Sequence, residues 1–217
     1  MDKGSLGRVT NHPMPVHLRQ TAERAKGFMP PAEGLALYEL GCLYGSRGPM
    51  AEIGSYCGKS AVYLGAAARA TSTVLFTIDH HRGSEEIQPG WIHHDPTLVD
   101  HRYGRMDSLP FFRTTIATAG LEDEVIAVVG ASATVAGHWR TPLGLLFIDG
   151  GHSDDPVTRD YEGWAPHVVP GGALIFHDIH TDPAEGGQAP YRIYLRALEE
   201  GFKETRVTGS LRALERV

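Results

Sequence analysis

Two hydrophobic patterns alternate along this chain. Short unbroken apolar runs are separated by longer segments in which apolar residues recur every three or four positions. The unbroken runs predict strands at 50–53, within "STVLFTIDHH" (72–81), "EVIAVVGAS" (124–132), "LGLLFIDGGH" (143–152) and "GGALIFHDIH" (171–180). The helical spacing predicts helices at 31–46, 59–69, 108–120 and 154–168, then a further helix at 190–200 and strand-like pieces in 202–216. The first thirty residues are polar and broken by Pro13, Pro15 and Pro30, so they read as an arm or short helix that packs late. Residues 31–217 then form one domain. Strands made of continuous Val, Ile, Leu and Phe are expected where both faces are covered, and the alternation of strand with helix implies a mostly parallel sheet.

The polar clusters stand at the carboxyl ends of the strands: Glu52–Gly58, Asp79–His81, Gly130–Ser132, Asp149–His152 and His177–Asp178. Open α/β sheets bind ligands there, near the point where strand order reverses. In "EIGSYCGKS" (52–60), Gly54 and Gly58 let backbone approach a ligand, and the following helix offers unpaired N–H groups. The G-x-x-x-G spacing is neither a dinucleotide fingerprint nor a phosphate loop. Glu52 is placed to attract a cationic ligand, or is an exposed strand-end acid. Asp79 is placed to accept ribose hydroxyls, or caps the next helix.

Asp149 and Asp178 end strands expected to be neighbours. Two converging carboxylates repel unless one takes a proton or a cation lies between them. A hard dication such as Mg²⁺ suits such oxygens, whereas a nitrogen ligand from His177 would favour Mn²⁺ or Zn²⁺. The alternative is two unpaired loop acids in water. Between the strand ending at Asp79 and the helix from 108 runs a long polar stretch, and loops of that length are often lids or binding segments. Within 80–110, Trp91, His93 and Tyr103 combine aromatic faces with hydrogen-bonding groups, which suits a sugar, although a plain solvated loop has the same composition. The histidines of this stretch lack zinc-ligand spacing.

Composition narrows the classes. The 217 residues carry a formal charge of −6, which argues against nucleic acid as the main partner. Two cysteines give no disulfide framework, the N-terminus lacks a secretory apolar run, and no stretch reaches the length of a membrane span. A cytoplasmic protein with a small-molecule or oligosaccharide acceptor is expected.

"AEIGSYCGKSAVYLGAAA" resembles the first motif of class I S-adenosylmethionine-dependent methyltransferases, and "TIDHH" resembles their ribose-binding acid. "IDGGH" together with W-x-P-x-x-x-P-G-G-x-x-x-x-H-D resembles the small metal-dependent O-methyltransferases of sugars, the group that includes macrolide-sugar enzymes. The likeness spans about residues 28–180. It implies a Rossmann-like fold with a mostly parallel seven-stranded sheet. Glu52, Gly54, Ser55, Tyr56, Gly58 and Ser60 would surround the methionine part of S-adenosylmethionine, Asp79 its ribose, and Ala131 and Ser132 its adenine. It also implies Mg²⁺, with Mn²⁺ as an alternative, on Asp149 and Asp178, and His152 as general base. The position of His177 is commonly acidic in that group, so the third ligand and preferred metal stay open. A catechol-type O-methyltransferase, or a non-catalytic or oxidative cofactor-binding relative, are the competing readings. Overall similarity suggests a methylated mannoside acceptor, and similar proteins are commonly dimers.

Overall fold

The computed structural model describes residues 13–84, 88, 90 and 94–217. In chain order its elements are α1 (Val16–Arg24), α2 (Pro31–Tyr44), β1 (Met50–Ile53), α3 (Lys59–Thr71), β2 (Leu75–Asp79), β3 (Val99–Asp100), β4 (Arg105–Met106), α4 (Leu109–Ala119), β5 (Val125–Val129), α5 (Ser132–His138), β6 (Leu143–Ile148), α6 (Asp154–Trp164), β7 (Val168–Phe176), α7 (Ala189–Glu199), β8 (Phe202–Thr208) and β9 (Leu211–Arg216). Seven strands form one sheet in the order β5-β2-β1-β6-β7-β9-β8, parallel except for β9, which runs antiparallel to both β7 and β8. The expected Rossmann-like α/β architecture is what the chain forms. The apolar runs become strands within a few residues of their expected bounds.

The reason those runs are continuous is visible in the core. Alternate residues of one strand enter opposite layers: Leu145 and Phe147 of β6 pack with α2, α3 and α4, while Leu146 and Ile148 pack with α6 and α7. Side chains alternate across a strand, so where a sheet is covered on both faces its strands read as nearly continuous apolar runs. The same parity matters at the strand ends. Asp149 follows Phe147 and His177 follows Ile175 toward the layer that holds α2.

The short helix allowed for in the N-terminal arm is α1, which packs on α3 with Leu18 and Ala22 buried in the common core and Lys59 Nζ donating to the Glu23 carbonyl at 3.2 Å. Two features depart from expectation. Helix α5 begins at Ser132, where only a strand end was anticipated. The long stretch after β2 contains a small antiparallel ribbon, with Val99 opposite Met106 and Asp100 opposite Arg105.

Candidate active site

Strand order reverses between β1 and β6, and the carboxyl ends of β1, β2, β6 and β7 open into a cavity of about 880 Å³. The turn after β1 is shaped by its contact with β6. Gly54 has φ +89°, and a Cβ added there would lie 2.2 Å from the Asp149 carbonyl oxygen. Only glycine meets both demands at once. Three non-glycine residues near the cavity also hold positive φ: Tyr56 (46°), His81 (58°) and Asp178 (55°). Such conformations cost on the order of 1 kcal/mol each and persist where surrounding structure imposes them.

On the β1–β2 side, Asp79 anchors the glycine turn. Its Oδ2 accepts the N–H groups of Ser55 and Tyr56 at 3.0 and 2.9 Å, and its Oδ1 accepts that of His81 at 2.7 Å. It therefore ties the glycine turn to the chain that follows β2 rather than capping a helix. Glu52 is fully buried, not an exposed strand-end acid, and its two carboxylate oxygens have no hydrogen-bond partner among the described residues. Burial pushes its pKa up to about 8; Ser60 offsets part of that, and the charges of Asp149 and Asp79 add to it. A buried carboxylate without a partner is costly, and a ligand ammonium would relieve it. Ser60, Gly130, Ala131 and Ser132 line the same cavity, and the Ser132 hydroxyl accepts from Trp164 Nε1 at 2.8 Å.

On the β6–β7 side, Asp149, His152 and Asp178 each bring a ligand atom to within 4.8 Å of the others. Parallel pairing of Ile148 with Phe176 sets the two strand tips side by side, so the acids converge as their neighbouring strands required. His152 Nε2 stands 3.3 Å from Asp178 Oδ2. His177 is buried, its Nδ1 3.1 Å from Asp149 Oδ1 and 3.4 Å from Asp178 Oδ2, and its Nε2 2.6 Å from Glu33 Oε2. Burial opposes the charged imidazole, yet Asp149, Asp178 and Glu33 outweigh it and raise its pKa. Burial alone would push the Asp178 carboxyl up; His177, with His152 and His180 behind it, holds it below the usual value. Asp149, His152 and Asp178 form a donor set that fits a divalent cation, with His177 bonded to both acids behind it.

The acceptor-side expectations divide. Tyr103 sits in the turn joining β3 to β4, is 70% exposed, and does not line the cavity. The ribbon pairing puts residues 101–104 at its tip, so loop length was no guide to which side chains turn inward. Trp91 and His93 lie outside the described residues. The described part of the loop contributes His80, Gly83, Ser84 and Ser108 to the cavity wall. Segments that were not singled out supply the rest: Lys26–Met29 from the N-terminal arm, Asp155 and Asp160 on α6, and His180 and Glu185 before α7. The arm is also tied to the loop, Lys26 Nζ meeting Asp95 Oδ2 at 2.5 Å and Thr97 Oγ1 at 2.7 Å.

A seven-stranded sheet with a cleft at its switch point defines a Rossmann-like α/β architecture. Residues 51–179, more than half of the chain, match the family model Methyltransf_24, a methyltransferase domain, and the chain belongs to that family. Solved structures share the fold. The O-methyltransferase NovP aligns with a TM-score of 0.65 at 16% identity over 86% of this chain and 80% of its own. An O-methyltransferase from Bacillus cereus in complex with SAH aligns at 0.61 and 20% identity over 92% and 87%. CalS11, a calicheamicin methyltransferase, aligns at 0.59 and 13% identity over 99% of both chains. Among the described residues, no helix is long and apolar enough to cross a membrane.

Proposed function

We propose that this methyltransferase moves a methyl group from S-adenosylmethionine to a sugar hydroxyl, using a divalent cation seated on Asp149 and Asp178 and His152 as general base. The observation that carries the reading is the convergence of Asp149, His152 and Asp178 in the same cavity that the glycine turn lines through Gly54, Ser55 and Tyr56. When bound, S-adenosylmethionine supplies an already electrophilic methyl group, and the dication lowers the pKa of an alcohol beside it.

The chain's own residues do the remainder. Glu52 presents negative charge to the amino group of the methionine part, and Ser60 and the start of α3 face its carboxylate. Asp79 keeps lone pairs for ribose hydroxyls beyond its three backbone N–H bonds. Ala131 and Ser132 wall the adenine. His152 takes the hydroxyl proton, and Asp178, 3.3 Å from Nε2, stabilises the imidazolium that results. The rigid strand tips hold both acids and the glycine turn, which keeps nucleophile and methyl carbon aligned.

The test is a panel of methyl glycosides and catechols incubated with methyl-labelled S-adenosylmethionine and Mg²⁺ or Mn²⁺. Label is expected in glycosides. Label confined to catechols replaces the sugar reading with the catechol-type one.

A further inference from the structure

Glu33 is the buried acid that the mechanism leaves unused. It lies in the first turn of α2, after Pro30 and Pro31, and is buried under the β8–β9 turn. Its Oε1 accepts the Ser210 N–H at 2.8 Å, and its Oε2 lies 3.2 Å from the Ser210 hydroxyl and 2.6 Å from His177 Nε2. The turn is built around this carboxylate: Gly209 has φ +56°, and a Cβ there would lie 2.0 Å from Glu33 Oε1.

We propose that Glu33 is a positioning residue for the cation seat: by accepting Nε2–H it turns His177 Nδ1 onto the gap between Asp149 and Asp178 as a nitrogen ligand. The inference rests on the dication reading above. Which ring nitrogen carries the hydrogen is set by the bond the other nitrogen makes, and an imidazole that binds a metal commonly donates its other N–H to a carboxylate. With Nε2–H given to Glu33, Nδ1 lies within hydrogen-bond reach of Asp149 Oδ1 at 3.1 Å and 3.4 Å from Asp178 Oδ2 in the ion-free chain, and would release its proton to a dication taking that gap, since metal ligands bind deprotonated. A nitrogen at such spacing from two carboxylate oxygens suits a shared ion, since ligands about 2.1 Å from an octahedral cation stand about 3 Å apart in adjacent positions. A nitrogen among oxygens also shifts selection from Mg²⁺ toward Mn²⁺. His152 is then left to the proton.

Mn²⁺ binding followed by electron paramagnetic resonance on the full chain tests this without turnover. Bound Mn²⁺ is expected to show nitrogen hyperfine coupling that survives His152→Ala and disappears in His177→Gln. Glu33→Gln is expected to weaken Mn²⁺ about tenfold or more and to narrow the preference over Mg²⁺, with S-adenosylhomocysteine affinity unchanged. Coupling that vanishes in His152→Ala instead, or unchanged Mn²⁺ affinity in Glu33→Gln, overturns the proposal alone. Equal, negligible Mn²⁺ binding by the native chain and Asp149→Asn overturns the dication reading with it. Should Glu33→Gln fail to fold, Glu33→Asp keeps the charge but withdraws the oxygen from Nε2, and is expected to show the same loss.

Discussion

The two halves of the cavity are built by different means. At the tips of β1 and β2, one carboxylate holds backbone: Asp79 gathers three N–H groups within a short span, and Glu52 is left buried and unpartnered beside it. At the tips of β6 and β7, side chains meet side chains: Asp149, His152, His177, Asp178 and Glu33 come from three segments of the sequence and stand 2.6–3.4 Å apart in successive pairs. The first half is a turn preformed by backbone bonds, with a buried carboxylate beside it. The second is a cluster whose charges balance only around a proton or a metal ion. The difference teaches that the half proposed to hold the cofactor is fixed by local conformation, while the half proposed to react depends on the register of the whole sheet.

Substitutions sharpen this contrast, beginning with the reacting half. Asp149→Asn removes one of two converging oxygens and is expected to lower turnover by about 10³-fold or more and abolish any response to added dication; S-adenosylhomocysteine binding, read by calorimetry, should persist. His152→Ala is expected to lose about 10²–10⁴-fold in kcat, again with cofactor affinity intact. Near-native turnover would remove His152 from the proton transfer.

The cofactor half should respond in binding and stability. Gly54→Ala must place a methyl group against the Asp149 carbonyl in a left-handed conformation, and is expected to cost about 2 kcal/mol or more, lowering Tm by about 5 °C. Unchanged Tm would mean that the β1–β6 contact is looser than described. Glu52→Gln is expected to weaken S-adenosylhomocysteine about tenfold while stabilising the chain without cofactor in alkaline solution. The sign follows from the raised pKa. Between the ordinary carboxyl value and about 8 the folded chain keeps a proton that the unfolded chain has lost, so stability falls as pH rises through that window. The Tm difference between Glu52→Gln and the native chain should grow across it and level off above. A difference independent of pH would contradict the burial argument.

The same contrast explains what could be read from the sequence. "EIGSYCGKS" and Asp79 were legible because the glycine turn and the acid that ties it lie within one strand–helix–strand unit. Asp149 and Asp178 were legible as strand-end acids, since two apolar runs of that kind imply adjacent tips. Glu33 was not, because a single acid in an apolar helix resembles any surface glutamate and its partner His177 lies 144 positions away. Helix α5 was missed because a short stretch containing Ser132, Thr134 and Gly137 carries little helical signal of its own. The role of Lys26–Met29 in the cavity depended on α1 docking against α3, a tertiary contact with no local signature.

The central claim is a dication at the tips of β6 and β7 that methyl transfer requires. The most direct measurement is S-adenosylhomocysteine release from the native chain with a methyl glycoside, after stripping by chelator and then with Mg²⁺ or Mn²⁺ restored. Release that stops on chelation and returns with the ion, but never returns in Asp149→Asn, is the result predicted here. Undiminished release from the stripped protein would contradict it.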